Sequence, residues 1–173
     1  MAALHSILVV DDEPAIRHVL TLVLTAQGYD VRAVSDGAEA LKELAARPYD
    51  VLISDVRMPN VDGMTLLKAA LATYPELTVL VMSAYGSKEQ ALEAVSAGAY
   101  DFLQKPFKPE EVVFLLKKAA ERQRLLNENR RLRAGSPDSN SFDRMVSASP
   151  GMQALKKQLQ RVAPVSTTVL ISG

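Results

Sequence analysis

Short apolar runs alternate with amphipathic stretches over the first 120 residues of the chain. Each short run predicts a strand, and each stretch with apolar residues at helical spacing predicts a helix. The predicted strands are Ile7–Val10, Val31–Val34, Val51–Ile53, Leu77–Val81 and Tyr100–Leu103. The predicted helices are Pro14–Gln27, Gly37–Ala46, Met64–Thr73, Lys88–Ala97 and a long helix that begins at Pro109. This alternation requires crossover connections, so it predicts an α/β fold: a doubly wound, five-stranded parallel sheet with helices on both faces.

The polarity of the runs predicts their places in the sheet. The runs 7–10, 51–53 and 77–81 are apolar without alternation, as is typical of central strands that are buried on both faces. Asp101 interrupts the run Tyr100–Leu103. We therefore expect this last strand to lie at an edge.

The last helix continues beyond the point where a compact domain would end it. Glu110–Ala134 contains no glycine or proline, and Leu125 and Leu132 are seven residues apart with Asn129 between them. A single buried asparagine can fix the register of a dimeric coiled coil. We expect a helical dimer linker over 121–134 and a homodimer through 110–134. A solvated helix extension is the alternative.

The remainder of the chain reads as a linker followed by part of another domain. Residues 135–144 begin with the stretch GSPDSNS, whose composition is typical of a flexible connection. Beyond them, Pro150–Ala163 has the pattern of an amphipathic helix and Thr168–Ile171 that of a strand. We expect 145–173 to be a fragment of a second α/β domain that continues after Gly173 in the natural protein.

Composition excludes several classes of function. The 173 residues include 20 basic and 20 acidic side chains and no cysteine. This balance gives no support to non-specific binding of nucleic acid or membranes, and thiol and disulfide chemistry are excluded. The start of the chain does not resemble a signal peptide, and no apolar run reaches the length of a membrane-spanning helix. We therefore expect a cytoplasmic protein with no membrane partner.

Polar residues of a particular kind follow the predicted strands. Asp11 and Asp12 follow the first strand, Asp55 the third, Ser83 the fourth and Lys105 the fifth. The carboxyl ends of parallel strands meet at one edge of such a sheet, where ligands bind. Clustered carboxylates repel one another unless a cation compensates, and oxygen ligands suit Mg²⁺. The pattern therefore predicts a site for Mg²⁺ and a phosphoryl group.

Local structure offers a plainer explanation for some of these residues. Aspartate is a favoured N-cap, so Asp11 or Asp12 could simply cap the helix that begins at Pro14. Asp62-Gly63 reads locally as a turn. Neither explanation accounts for an acidic residue at Asp55.

Four stretches carry a resemblance to a known family: LVVDDEP, DVLISDVRMPNVDG, VLVMSAYG and AGAYDFLQKPF. Over Ile7–Ala120 they resemble the receiver domain of two-component response regulators. The resemblance implies the flavodoxin-like fold known from CheY-like receivers, with a receiver domain over 1–120. It also implies that Asp55 accepts a phosphoryl group from a sensor histidine kinase, and that the chain is not a turnover enzyme.

The same resemblance implies roles for the other site residues. Asp12 would bind Mg²⁺ beside Asp55 and the backbone carbonyl of Arg57, and Asp11 would help through water. Lys105 would contact the phosphoryl oxygens, and its bond to Pro106 would be cis. Ser83 would hydrogen-bond the phosphoryl group after transfer. Phe102 stands where the family has its switch aromatic, often a tyrosine.

The C-terminal stretch MVSASPGMQALKKQLQRVAPVSTTVLISG carries a second resemblance. Over 145–173 it resembles the opening of the AAA+ domain in NtrC-like activators of sigma-54 RNA polymerase, with Gly173 as the first glycine of the phosphate-binding loop. The lysine of that loop is absent, so we expect no ATP hydrolysis by this chain. Phosphorylation would switch the oligomeric state of an activator that contacts sigma-54 RNA polymerase and DNA only through regions absent here.

Three alternatives remain at this point. The receiver could serve a different output domain. A haloacid-dehalogenase-type phosphatase also uses an aspartate nucleophile and Mg²⁺, but it requires a second aspartate at the position of Arg57. A flavodoxin-like cofactor binder would need a phosphate-binding loop after Ile7–Val10, and none follows.

Overall fold

The computed structural model describes residues 4–84 and 88–135. Its strands are β1 (Ser6–Val10), β2 (Asp30–Val34), β3 (Val51–Asp55), β4 (Thr78–Ser83) and β5 (Asp101–Gln104). Its helices are α1 (Pro14–Ala26), α2 (Gly37–Ala46), α3 (Gly63–Thr73), α4 (Lys88–Ser96) and α5 (Pro109–Gly135). The strands form one parallel sheet in the order β2-β1-β3-β4-β5. The predicted doubly wound fold and the edge position of the last strand are confirmed.

The apolar strand residues build a separate core on each face of the sheet. On one face, Leu8 and Leu52 pack in a cluster with apolar residues of α2, α3 and α4. On the other face, Ile7 and Ile53 pack with residues of α1 and α5. Side chains of successive strand residues point to opposite faces, so a run without polar alternation fills both cores. The sheet is thereby fixed from both sides and can position the residues at its carboxyl edge.

Three strands extend further at their carboxyl ends than their apolar runs predicted, and β5 does so by Gln104 alone. β3 includes Ser54 and Asp55, and β4 includes Met82 and Ser83. The parallel ladder continues through them, since Asp55 is the register partner of Met82. Asp55 and Ser83 therefore belong to the sheet itself and not to the loops that follow it.

Asp62-Gly63 was predicted to be a turn, but Gly63 is the first residue of a helix. Helix α3 begins at Gly63, and Asp62 is its N-cap, with Oδ1 accepting a hydrogen bond of 2.8 Å from the backbone N–H of Thr65. Backbone hydrogen bonds hold the pKa of Asp62 below its usual range. Its charged form therefore caps the helix.

Helix α5 continues to Gly135, one residue beyond the predicted dimer linker. Its first part packs on the sheet through Val112 and Leu116, which are fully buried. Further along, Leu125 and Leu126 are 52% and 44% exposed. Among the residues that the structure describes, no helix is both long and apolar enough to cross a membrane.

The chain divides into two compact units, Met1–Leu126 and Asn127–Gly173. The first unit contains the sheet and its helices. Of the second unit, the structure describes only the helical residues 127–135. The predicted linker beyond Gly135 and the predicted domain fragment 145–173 lie outside the described residues.

Candidate functional site

Three carboxylates lie together at the carboxyl edge of the sheet. β1 and β3 are neighbours with Val10 opposite Ser54, so the residues that come next, Asp11 and Asp55, are adjacent. One carboxylate oxygen each of Asp11, Asp12 and Asp55 lies within 4.8 Å of the others. Asp11 is fully buried and Asp55 is 7% exposed, whereas Asp12 is exposed. The structure thus brings together the three acidic residues that the sequence placed after two different strands.

The ammonium group of Lys105 binds two of these carboxylates. Its Nζ lies 2.8 Å from Asp11 Oδ2, 3.0 Å from Asp55 Oδ2 and 3.3 Å from Glu13 Oε1. The Lys105 side chain is 7% exposed. Its backbone N–H donates a 2.7 Å hydrogen bond to the carbonyl oxygen of Ser83, and the bond that follows, to Pro106, is cis. The lysine is therefore fixed at both its backbone and its head group.

Burial and charge act in opposite directions on this cluster. Burial raises the pKa of Asp11, although the Lys105 ammonium and the Glu13 backbone N–H offset part of this effect. Burial by itself would lower the pKa of Lys105, but hydrogen bonds and attraction from Asp11 and Asp55 outweigh it and raise the pKa overall. The lysine stays protonated at neutral pH. One ammonium faces three clustered carboxylates, and this set of oxygen donors with excess negative charge fits a divalent cation such as Mg²⁺.

The loop between β1 and α1 is held by contacts that the sequence analysis did not single out. Asp11 Oδ1 accepts a 2.9 Å hydrogen bond from the backbone N–H of Glu13. Arg17 Nη1 donates to the carbonyl oxygens of Asp11 and Asp12, at 2.7 and 3.0 Å. The N-cap of α1 is Glu13, and its side chain makes no cap hydrogen bond. The local alternative, in which Asp11 or Asp12 caps the helix at Pro14, is therefore wrong.

The loop between β3 and α3 turns back against the strand that carries Asp55. The backbone N–H of Val56 donates to Met82, and the N–H of Gly63 donates to Val56, at 2.8 and 2.9 Å. A Cβ atom on Gly63 would overlap the carbonyl oxygen of Asp55, so only glycine allows this close approach. Arg57 lies on this loop, two residues after Asp55, and is exposed. Gly63 was not predicted as a site residue, and its only signal in the sequence is the Asp-Gly pair.

Ser83 and Phe102 lie on the two strands beyond Asp55. Ser83 is 1% exposed and lies one residue after Met82, the register partner of Asp55. Phe102 pairs with Val81 in the edge strand, is half-buried, and packs against the core under α4. The sheet therefore orders the three residues across its carboxyl half as Asp55, Ser83 and Phe102. Residues 85–87, after Ser83, lie outside the described part of the chain.

Comparison with known proteins gives consistent matches. The family model of the response regulator receiver domain matches residues 7–117. The C4-dicarboxylate transport transcriptional regulatory protein DctD of Rhizobium meliloti is 32% identical over all of this chain and 38% of its own length. The DNA-binding transcriptional regulator NtrC of Escherichia coli K12 is 35% identical over 95% of this chain and 34% of its own length. The chain thus spans about a third of the length of these curated relatives.

Solved structures agree with the family match. The solution structure of the beryllofluoride-activated NtrC4 receiver domain dimer has a TM-score of 0.65 and 34% identity, and the match covers 68% of this chain and 97% of that one. The family model covers more than half of the chain, and its range contains the carboxylate cluster, Lys105, Ser83 and Phe102. The chain belongs to the response regulator receiver domain family of two-component systems and is related to NtrC-type transcriptional regulators.

Proposed function

We propose that this chain is the phospho-accepting receiver of a two-component system, in which Asp55 takes a phosphoryl group from a phosphohistidine of a sensor histidine kinase. One observation carries the proposal: the buried Lys105 ammonium binds Asp55 at 3.0 Å within a cluster of three carboxylates. The site then has an oxygen nucleophile and a fixed positive charge beside it. On this proposal the chain is a phosphoacceptor with at most slow autodephosphorylation, and it works in the cytoplasm.

The residues that would hold Mg²⁺ are Asp12, Asp55 and the backbone carbonyl of Arg57, with Asp11 acting through water. Their oxygens are the hard ligands that Mg²⁺ prefers, and an exposed member such as Asp12 leaves room for the waters that this ion keeps. When bound, the cation supplies positive charge against the oxygens of the phosphoryl group. The excess of carboxylates over the single ammonium supports this assignment.

In the transfer, a carboxylate oxygen of Asp55 attacks phosphorus in line with the imidazole nitrogen of the kinase. The P–O bond forms as the P–N bond breaks, and the electron pair of that bond returns to the imidazole. Such a transition state spreads charge over the phosphoryl oxygens, so catalysis is mostly positioning and electrostatic stabilisation. Lys105 provides both because its ammonium already lies within hydrogen-bond reach of Asp55.

The switch would pass from the phosphoryl group to Ser83 and then to Phe102. A phosphoryl group adds close to two negative charges and strong hydrogen-bond acceptors. The hydroxyl of Ser83, at the end of the neighbouring strand, would donate to one of them. The half-buried ring of Phe102 would then repack. Phenylalanine has no hydroxyl, so this step would depend on ring packing alone.

The output of the switch would be a change in a dimer formed through 110–134. The exposure of Leu125 and Leu126 on the extended α5 supports this, as does the similarity to a receiver solved as a dimer.

The chain would divide into a receiver domain over 1–120, a helical dimer linker over 121–134, a flexible linker over 135–144 and a fragment of a second domain over 145–173. The similarity to NtrC and DctD supports a place in a sigma-54-dependent activator. Contacts with sigma-54 RNA polymerase and DNA would lie in regions outside this chain.

The proposal is tested by incubating the chain with acetyl phosphate and Mg²⁺ and measuring its intact mass. The wild type should gain one phosphoryl group, Asp55→Asn none, and the surface control Asp30→Asn as much as the wild type. Asp30 is suited to this comparison because its carboxylate forms an exposed ion pair with Arg47 at the start of β2. Unchanged labelling of Asp55→Asn would refute the assignment. Repeated turnover of a phosphomonoester would favour the phosphatase alternative.

A further inference from the structure

Arg17 makes an unusual pair of contacts beside the carboxylate cluster. It lies in the first turns of α1, three residues after Pro14, and is half-buried. A single guanidinium nitrogen, Nη1, donates to the carbonyl oxygens of both Asp11 and Asp12, at 2.7 and 3.0 Å. Side chains on a helix point toward its N-terminus, so a residue at this position reaches back over the loop that carries both aspartates.

The two aspartates differ in what else holds them. The Asp11 carboxylate accepts hydrogen bonds from Lys105 Nζ and from the backbone N–H of Glu13. The Asp12 side chain is exposed, and no residue in the described part of the chain donates a hydrogen bond to its carboxylate. The direction of the Asp12 carboxylate therefore depends on the conformation of its own backbone. That backbone is tied to α1 through the Arg17 contact with the Asp12 carbonyl.

The guanidinium also brings charge to the site. It contacts the backbone carbonyl oxygens of two of the three residues whose carboxylates cluster. Its hydrogen bonds go to backbone carbonyls, so it does not occupy the carboxylate oxygens. Lys105, by contrast, binds the carboxylate oxygens themselves.

We propose that Arg17 is a positioning residue for the cation site, and that it fixes the Asp11-Asp12 backbone so that the Asp12 carboxylate faces Asp55. This inference rests on the proposed binding of Mg²⁺ by Asp11, Asp12 and Asp55. Residues that orient metal ligands in this indirect way commonly change metal affinity 10- to 100-fold when they are replaced.

Three substitutions separate the contributions of Arg17. Arg17→Met removes both the charge and the donors, Arg17→Gln retains a donor without charge, and Arg17→Lys retains the charge and donors on a single nitrogen. Arg32→Met is the matched control. It removes an exposed arginine of β2 that forms an ion pair of 3.4 Å with Glu43 of α2.

The experiment is a calorimetric titration of each purified chain with magnesium chloride, together with thermal unfolding in EDTA. We expect Kd for Mg²⁺ to rise about 10-fold in Arg17→Met, with Arg17→Lys closest to the wild type and Arg17→Gln between them. Labelling by acetyl phosphate should slow in Arg17→Met at low Mg²⁺ and recover at saturating Mg²⁺. Arg32→Met should bind Mg²⁺ like the wild type. A purely structural role would lower the unfolding temperature and leave Kd unchanged.

The outcomes distinguish this inference from the proposal on which it rests. If the wild type binds Mg²⁺ and Arg17→Met binds it with the same Kd, the positioning role is refuted and the cation site stands. If the wild type binds no Mg²⁺, the cation site itself is refuted, and the role of Arg17 is refuted with it. If Arg17→Met fails to fold in EDTA, Kd for Mg²⁺ is compared between Arg17→Gln and Arg17→Lys instead. A higher Kd in Arg17→Gln supports the positioning role, and equal values refute it.

Discussion

Replacing Lys105 with methionine should destabilise the fold strongly in the absence of Mg²⁺. Methionine preserves most of the length and volume of the side chain, so the substitution removes mainly the ammonium group. That group is 7% exposed and binds Asp11 at 2.8 Å and Asp55 at 3.0 Å. The variant therefore keeps two buried carboxylates and loses the cation that compensates them.

Removing one partner of a buried ion pair typically costs about 3–5 kcal/mol. We expect a loss of this size in the free energy of unfolding at neutral pH in EDTA. Two conditions should reduce it. Burial already raises the pKa of Asp11, and the loss of the ammonium raises it further. A carboxyl group with a raised folded-state pKa stabilises the fold as the pH falls through that pKa, so the loss should shrink near pH 5.

Mg²⁺ should also reduce the loss, because a divalent cation among the carboxylates replaces the missing positive charge. A ligand at 100 times its Kd stabilises the folded state by about 2.7 kcal/mol. The variant should bind Mg²⁺ more tightly than the wild type, since the ammonium no longer competes for Asp11 and Asp55. The stabilisation by a fixed Mg²⁺ concentration should therefore be larger in Lys105→Met.

The assay is urea unfolding followed by circular dichroism, in EDTA and in Mg²⁺, at neutral pH and near pH 5. Lys117→Met is the control, because Lys117 is an exposed residue of α5, and such changes usually cost under about 0.5 kcal/mol. A loss below about 1 kcal/mol for Lys105→Met in EDTA at neutral pH would refute the ion-pair argument. An equal loss with and without Mg²⁺ would refute the link to cation binding.

Three other perturbations test separate parts of the structure. Asp50 Oδ2 accepts three hydrogen bonds of 2.8–2.9 Å from His5 and Ser6, at the start of β1. Burial raises the pKa of Asp50, but these hydrogen bonds outweigh it and lower the pKa overall. Asp50→Asn should therefore lower the free energy of unfolding by about 1–2 kcal/mol at neutral pH. Because that pKa is lowered, urea unfolding of the two proteins should converge as the pH falls below about 4. Gly63→Ala should slow labelling by acetyl phosphate, since its Cβ would displace the backbone beneath the phosphoacceptor. Gly28→Ala is the control, because Gly28 has a φ of 88°, which strains any residue with a side chain, and lies far from the site. It should lower the free energy of unfolding by about 1 kcal/mol without changing the labelling rate. Leu125→Glu should abolish the dimer in sedimentation velocity while Leu22→Glu, equally exposed on α1, leaves it intact; a dimer in both would place the interface elsewhere.

The sheet was predictable because its pattern is local and repeated. Each buried strand is a run of residues such as Val51–Ile53 without polar alternation, and each connection has the length of a helix. The rule that strand ends meet at one edge then placed Asp11, Asp55 and Lys105 together, as the structure has them. The true end of β3 could not be read in this way, because the ladder continues through two polar residues, Ser54 and Asp55.

The contacts missed by the sequence analysis depend on the path of the backbone. Arg17 looks like any charged residue on a helix, and its contacts with the carbonyl oxygens of Asp11 and Asp12 follow only from the path of the loop before α1. Gly63 looks like part of a turn, and its necessity follows only from the return of the loop onto β3. Neither property is encoded by residue type at a fixed spacing, which is why motif reasoning found the charged groups and not their supports.

The distribution of the site residues between strands and loops determines how the variants should differ. Asp55 and Ser83 end strands whose neighbours are packed on both faces, so their positions are set by the core. Asp12 and Arg57 lie on loops: Arg17 donates to the carbonyl oxygen of Asp12, and the N–H of Gly63 donates to the carbonyl oxygen of Val56, the residue before Arg57. Substitutions under the strands should therefore lower stability first, whereas Arg17→Met should change cation affinity and labelling rate at little cost in stability. This contrast makes the measurements on Arg17 and Lys105 independent tests of the same site.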